Sequence, residues 1–443
     1  MSHKQPVVGI RREDKNEWER RVPLVPKQVE ALIRSHGLAF RVQPSDIRVF
    51  PDEEFRSVGA EVIEELSDCD LVLGVKEVPP AFFRQDGFYC FFSHVIKGQP
   101  ANMPMLRRLM DLGCSLVDYE RMTDDVGRRL VFFGHFAGIA GAVNTLVALG
   151  RRLQAQGTAT SLVQLRQAYE YGTVEAAMEA VRQVGHLVRR EGIPNELTPL
   201  VIGVTGYGHV AQGVLEVLDE FGAVDVAPDQ VPGLISSGDE KRVYRTVYRE
   251  EHMVEPCDQG ATFRLQEYYD HPDRYRSAFE SRLPYLAVLI NCIYWDERYP
   301  KLVTKDWLRG EMNKPGGPRL RVIGDVSCDV DGAVEANVRV TDTGSPFYVY
   351  HPELDRARDG LEGEGVAVMA VDNLPCELAV DSSRSFGKAL RGFVPSLARA
   401  DLSLPLDELD IPGPVSRSLL LHRGKLTPDY EYIEEFLKDA RSD

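Results

Sequence analysis

The sequence is short of the features that mark secreted, membrane-spanning or metal-holding chains. Its seven cysteines (69, 90, 114, 257, 292, 328 and 376) are scattered, with no C-x-x-C pair. An odd count without paired spacing gives no disulfide framework, so reduced thiols in a cytoplasmic setting are expected. Metal-ligand spacing is missing as well, and no metal is expected. The cluster Asp325-x-x-x-Asp329-x-Asp331 does not follow calcium-loop spacing. Long apolar runs are scarce: the longest, 136–150, carries Asn144 and Thr145 and stops at Arg151. That is short of the ~20 residues that span a bilayer, so it reads as a buried helix. A strand-like run at 7–10 starts so near Met1 that no leader peptide is expected.

Positive charge is also in deficit. Lys and Arg number 52 against 68 Asp and Glu, a formal net charge of −16. A surface this acidic argues against nucleic acid and anionic membrane as partners. An anionic substrate would then need arginines and lysines gathered locally.

What is present is an ordinary globular composition, 43% hydrophobic and 27% charged. The 443 residues exceed one compact core and imply two or three domains. Short apolar runs at 7–10, 39–43, 71–75, 89–92, 115–118 and 130–133 alternate with helical patterns, which predicts a parallel α/β sheet. A Gly/Ala-rich helix is expected over 137–154, and a charged helical stretch over 162–190. A second α/β domain runs from a strand at 200–205 to about Leu374. The last stretch, broken at Pro395, Pro405 and Pro412, reads as mostly helical. The expected organisation is residues 1–136 as a catalytic domain and 137–375 as a Rossmann domain with linking helices. Residues 376–443 return to the first domain as helices.

The run Leu200-Val-Ile-Gly-Val-Thr-Gly206-Tyr207-Gly208-His209-Val210-Ala211-Gln-Gly213 is an apolar strand, a glycine turn and an amphipathic helix. Gly206 permits the tight turn, Gly208 admits a pyrophosphate to the backbone, and Ala211 takes the small position where helix meets strand. The helix N-terminus supplies free N–H groups to phosphates. A dinucleotide site is expected; the alternative is a glycine-rich turn that binds nothing. The second strand should end near Val224-Asp225-Val226-Ala227. Neutral Ala227 at that end, with Lys241, Arg242 and Arg245 downstream, points to the 2′-phosphate of NADP, with NAD the alternative. The charged, tyrosine-rich stretch 236–249 is unusual for such a crossover and has no account in the sequence.

Polar residues collect where strands of the first domain should end, and ligands collect there in parallel sheets. Lys76 follows one strand and His94 another. A lysine desolvated near other cations drops toward neutrality, and histidine titrates there already, so the two can move protons at working pH. Glu77 and Glu120 would tune both. The alternative for either residue alone is a solvated or merely hydrogen-bonded side chain.

These segments are Gly9-Ile-Arg11-Arg12-Glu13, Glu19-Arg20-Arg21-Val22-Pro23-Leu24, Gly74-Val-Lys76-Glu77, Ser93-His94-Val-Ile-Lys97 and Asp118-Tyr119-Glu120. With Arg128-Arg129 and Phe133-Gly134-x-x-Ala137-Gly138-x-Ala140-Gly141, they resemble the lysine-forming saccharopine dehydrogenases. The similarity is strongest to the lysine–2-oxoglutarate reductase half of the bifunctional enzyme of lysine breakdown. It extends more distantly to alanine dehydrogenase. Later landmarks agree: Asn291-Cys-Ile-Tyr294-Trp295, Asp325-Val-Ser327-Cys-Asp329-x-x-Gly332-x-x-Glu335 and Asp372-Asn373-Leu374-Pro375.

The resemblance implies two Rossmann-like domains with the active-site cleft between them. It implies an NAD(P)-dependent oxidoreductase acting on L-lysine, 2-oxoglutarate and saccharopine. Lys76 and His94 would be the acid–base pair. Arg11, Arg21 and Lys97, with Glu77, Glu120, Arg129 and Phe133, would bind substrate. Gly206, Tyr207, Gly208, His209, Val210 and Ala211, with Asn291, Tyr294, Asp325 and Asp372, would hold the coenzyme. The chain ends without the second dehydrogenase of the bifunctional relatives, so a separate saccharopine-cleaving enzyme is the expected partner. Two rival readings remain: a related amino-acid or opine dehydrogenase using another amine, and a catalytically silent nucleotide-binding regulator.

Overall fold

The computed structural model describes residues 5–235, 239 and 241–439. The chain forms two compact units, Met1–Phe133 with Ala379–Asp443, and Gly134–Leu378. Each is an α/β body built on an eight-stranded, mostly parallel sheet. Strands are numbered along the chain. No helix among the described residues is long and apolar enough to cross a membrane.

The first unit contains β1 (Val7–Ile10), β2 (Ala39–Val42), β3 (Glu61–Val62), β4 (Leu71–Leu73), β5 (Phe88–Phe91) and β6 (Ser115–Asp118). From the far end of the chain it receives β17 (Leu419–His422) and β18 (Lys425–Leu426). The sheet order is β18-β17-β6-β5-β4-β1-β2-β3. Strands β1 to β6 run parallel, while β17 joins β6 antiparallel. Strand order reverses between β1 and β4, so the residues just beyond Ile10 and Leu73 flank the crevice where such sheets place ligands. The chain's last segment is therefore only partly helical: Leu419, Leu420 and Leu421 are buried as a strand against β6.

The expected strand at 130–133 does not form. Leu130 N–H bonds back to Met122 O, and Thr123 bridges Arg129, which uses up the local backbone pairing. Val131 and Phe133 are buried for another reason. Phe133 stacks on Phe386 with centroids 4.5 Å apart, and Phe386 lies on the helix Ala379–Leu390. Alternate burial here comes from aromatic packing, not from a pleat.

The second unit contains β7 (Leu200–Thr205), β8 (Val224–Asp225), β9 (Val243–Tyr248), β12 (Val288–Asn291) and β13 (Val322–Asp325). Strands β14 (Phe347–His351), β15 (Arg356–Asp359) and β16 (Val366–Met369) complete its sheet, and β10 (Val254–Pro256) pairs with β11 (Tyr275–Ser277) beside it. The order is β15-β14-β16-β13-β12-β7-β9-β8. Every residue of β7 is buried, as expected of a central parallel strand covered on both faces. The helix Gly134–Ala155 packs on the helix His209–Phe221 almost backbone to backbone. A Cβ on Gly138 would fall 1.9 Å from Val210 O, and one on Gly213 would fall 2.1 Å from His135 O. The expected helical stretch at 162–190 resolves into two short 3₁₀ turns and the helix Val174–Glu191.

The strand beside β7 is β9, not the segment near Ala227. β8 is two exposed residues at the sheet edge. Val243, Tyr244, Thr246 and Tyr248 are buried in β9, and the intervening Arg245 is held by Asp225 and Asp219, each at 2.7 Å. The charged, tyrosine-rich stretch is thus a sheet strand whose arginine is neutralised at the edge. Residues 236–238 and 240 of it lie outside the described residues.

Candidate functional site

In the first unit the loop after β1 and the turns after β4, β5 and β6 bring their polar residues into one network. Glu77 is its centre. Its Oε1 lies 2.5 Å from His94 Nδ1, and its Oε2 lies 3.3 Å from Lys15 Nζ. Burial alone would raise the Glu77 carboxyl. The hydrogen bond from His94 and the charges of His94, Lys15 and Lys76 outweigh it and hold the group at about 2. His94 adopts φ 49°, a left-handed backbone that a non-glycine residue takes at a cost, and its ring stacks on Phe92.

Lys76 is displaced in the opposite sense. Burial, with Arg21 and Lys15 nearby, pushes its ammonium below the usual lysine range, while Glu77 and Glu19 oppose the shift. Its backbone is fixed from the β1 loop: Glu13 Oε1 accepts the Val75 N–H at 2.7 Å and Oε2 the Lys76 N–H at 2.9 Å. Arg21 is buried against Glu19, which takes Nε at 2.7 Å and Nη2 at 2.5 Å, and its guanidinium sits 4.2 Å from the Phe133 ring centroid. Arg11 is 3% exposed and bonds Asp14 through Nη2. Its Nε and Nη1 are buried and have no hydrogen-bond partner among the described residues. Two buried guanidinium donors left open mark a place for an acceptor such as a carboxylate.

The remaining substrate-site candidates lie further out. Lys97 is exposed on the turn after His94, and half-exposed Arg129 pairs with Glu120. Asp118 links the two turns: it accepts the Ser93 N–H at 3.0 Å and the Glu120 N–H at 2.8 Å. Sequence reasoning did not single out Lys15 as a member of this network. It quoted Glu13, Glu19 and Asp118 only as parts of a pattern. The signal was available in the run Arg11 to Arg21, which holds four acids and five bases on one loop.

In the second unit Gly206 has φ 90°, and its amide bonds Tyr248 O at 3.0 Å. A Cβ on Gly206 would meet the Cys292 carbonyl and Ile293, whereas one on Gly208 would meet nothing within 4 Å. The turn is tight on its strand side and open on the side where phosphates approach. The helix His209–Phe221 begins there, with Gly208 as its N-cap and Ala211 fully buried. A cavity of about 400 Å³ opens beside the turn, walled by Tyr207, Glu250, Met253, Tyr269, Ile293 and Tyr294 among others. These residues fit a dinucleotide: a helix N-terminus for phosphate, an open glycine, and an aromatic and apolar slot.

Glu250 and Arg249, at the end of β9, were missed because β9 was missed. Glu250 Oε1 accepts the hydroxyl of Tyr269 at 2.7 Å and that of Tyr207 at 3.4 Å. The Arg249 guanidinium lies 4.7 Å from the Tyr207 ring centroid. Asn291 and Asp325 are buried and bond one another at 2.9 Å. Thr205 and Asn337 complete the chain across three strand ends. Burial raises Asp325 to about 6 although two asparagines donate to it. Neither residue walls the cavity, and exposed Asp372 does not either.

Comparison with known proteins agrees with this architecture. Residues 9–140 match the family model "Alanine dehydrogenase/PNT, N-terminal domain". Alpha-aminoadipic semialdehyde synthase of Arabidopsis thaliana is 37% identical over 98% of this chain and 42% of its own length. The mitochondrial alpha-aminoadipic semialdehyde synthase of Rattus norvegicus is 34% identical over 99% of this chain and 48% of its own. The chain thus spans under half the length of these relatives. Saccharopine dehydrogenase [NAD(+), L-lysine-forming] of Emericella nidulans is 26% identical over 86% of this chain and 88% of its own. Among solved structures, an L-alanine dehydrogenase covers 98% of the chain with a TM-score of 0.62 at 19% identity, and 99% of its own chain is matched. Over nearly its whole length the chain is similar to part of the alpha-aminoadipic semialdehyde synthases, its residues 9–140 match the alanine dehydrogenase/PNT N-terminal domain, and its fold is that of L-alanine dehydrogenase.

Proposed function

We propose that the chain is an NAD(P)-dependent oxidoreductase acting on CH–NH bonds, which joins L-lysine to 2-oxoglutarate as saccharopine or runs that reaction backward. The observation that carries this reading is the Lys76–Glu77–His94 network beside the open guanidinium of Arg11. Saccharopine has three carboxylates, and an acidic protein holds such a ligand only with locally gathered cations. Arg11 and Arg21 are the buried ones, with Lys97 and Arg129 further out.

The coenzyme supplies the hydride, and all proton traffic falls to the chain's own groups. Lys76, lowered by burial and neighbouring cations, takes a proton from the substrate amine and frees it to attack the keto carbon. His94, its Nδ1 fixed by Glu77, presents Nε2 as the group that protonates the departing hydroxyl. Phe133, Phe92 and Phe386 pack on one another against this network, Phe92 on the His94 ring and Phe133 on the Arg21 guanidinium.

The coenzyme would lie on Gly206 to Ala211 with its ribose near the end of β9. NADP was expected from Ala227; Arg249, which lies over the Tyr207 ring, is the residue that would meet its 2′-phosphate. Glu250 is the acceptor for the free ribose hydroxyls of NAD. Arg245 has no part in this, since Asp219 and Asp225 hold it.

The test is loss of the near-ultraviolet absorbance of the reduced coenzyme, with lysine and 2-oxoglutarate each omitted in turn. Oxidation that requires both supports the proposal. Oxidation with another amine only would make the chain a related amino-acid or opine dehydrogenase. Coenzyme binding without turnover on any amine would make it a silent nucleotide binder.

A further inference from the structure

We infer that Glu13 is the positioning residue for Lys76, acting as a two-oxygen clamp on the backbone of the strand end that carries it. Glu13 comes from the β1 loop and Lys76 from the turn after β4, the two strands that flank the crevice. Each carboxylate oxygen takes one of two consecutive amides, Val75 at 2.7 Å and Lys76 at 2.9 Å. Consecutive amides of an extended chain point to opposite sides, so a single acceptor meeting both requires the chain to turn at that point. The clamp therefore sets where the turn occurs and the direction in which the Lys76 side chain leaves it. After burial, the largest influences on the Lys76 ammonium are Arg21, Lys15, Glu77 and Glu19, whereas the contact that Glu13 makes is with the backbone.

The clamp depends on ionisation. A carboxylate accepts on both oxygens, whereas a carboxylic acid turns one of them into a donor facing an N–H. The groups around Glu13 are Glu19 and Arg11 on its own loop, the Val75 and Lys76 amides, and the Tyr119 hydroxyl after β6. Burial first, then the charge of Glu19, raise its carboxyl to about 7 against the opposing pull of Arg11 and the two amides. The turn under Lys76 is thus fastened above neutrality and loosened below it.

Hydrogen exchange at the Val75 and Lys76 amides, expressed as protection relative to the intrinsic rate, reads the clamp without any substrate. The wild-type chain should lose protection at these two amides as pH falls through about 7, while Leu73 in β4 stays protected. Glu13→Gln, which offers one acceptor and one clashing donor, should lower protection there by about tenfold or more at pH 8 and abolish its pH dependence. Glu13→Asp should restore part of it, because both oxygens survive. Unchanged protection at both amides in Glu13→Gln would overturn the clamp.

The kinetic consequence rests on the function proposed above. Glu13→Gln should lower kcat with the coenzyme KM unchanged, and should remove one ionisation near neutrality from the pH–rate profile. A chain that shows the exchange effect but turns over no amine would retain the clamp and lose the proposed reaction. Lowered kcat without the exchange effect would sink the clamp alone.

Discussion

His94 Nδ1 and Glu77 Oε1 lie 2.5 Å apart, joining the turns after β5 and β4 through their side chains. Because Glu77 is held at about 2, it is a carboxylate throughout the working range and fixes which imidazole nitrogen faces outward. Glu77→Gln should therefore lower turnover less than His94→Gln does, while leaving coenzyme affinity unchanged. Steady-state kinetics with coenzyme titration check this. Equal losses in the two variants would mean that Glu77 has a direct chemical part.

Lys76→Met and His94→Gln should each reduce turnover by about 10²–10⁴-fold, the usual worth of a positioned acid or base. Binding of the reduced coenzyme, measured by its fluorescence, should not change. Near-normal turnover in both variants would remove the acid–base assignment.

Coenzyme choice should divide between two neighbours. Arg249→Ala should weaken NADPH more than NADH, because it takes away the cation available to a 2′-phosphate. Glu250→Gln should weaken NADH more, because it takes away the charged acceptor for ribose hydroxyls. Isothermal titration of each variant with both coenzymes decides the matter, and parallel losses would place the ribose elsewhere.

Stability should fall as pH rises through neutrality. Burial raises Glu13 to about 7, Glu377 to about 7 and Asp325 to about 6. A carboxyl whose folded value is raised binds its proton more tightly when folded. Its contribution is full below the unfolded value near 4.5 and is lost as pH climbs through the folded one. Urea midpoints should accordingly drop between pH 5 and pH 8, and Glu377→Gln should flatten that slope. Glu77 runs the other way, with its contribution present above the unfolded value and lost only in strong acid.

Gly138 and Gly213 leave no room for a side chain where two helices meet. Gly213→Ala should cost about 1–3 kcal/mol of stability by overpacking, read as a lowered denaturant midpoint. An unchanged midpoint would mean that the helices part easily.

Much of this was legible in the residues. The strands at Val7–Ile10, Ser115–Asp118 and Leu200–Thr205 stand out as apolar runs, and the glycine turn carries its own geometry. What escaped depends on contacts distant in sequence. Phe133 looked like part of a strand because its true neighbour, Phe386, comes from the returning C-terminal segment. β9 was hidden by Arg245, which resembles a solvated charge until Asp219 and Asp225 are placed beside it. Glu13 was visible within its motif, but its partners are backbone amides more than sixty residues away, and no side-chain pattern records those.

The sheet borders carry a further meaning. Of the four borders of the two eight-stranded sheets, three are two-residue strands, Glu61–Val62, Val224–Asp225 and Lys425–Leu426, and the fourth is Arg356–Asp359, charged at all but one position. Short, charged borders are poor templates for a stranger's strand. Copies of this chain are thereby kept from fusing into continuous β-structure at high concentration, and self-association is left to helical and loop surfaces.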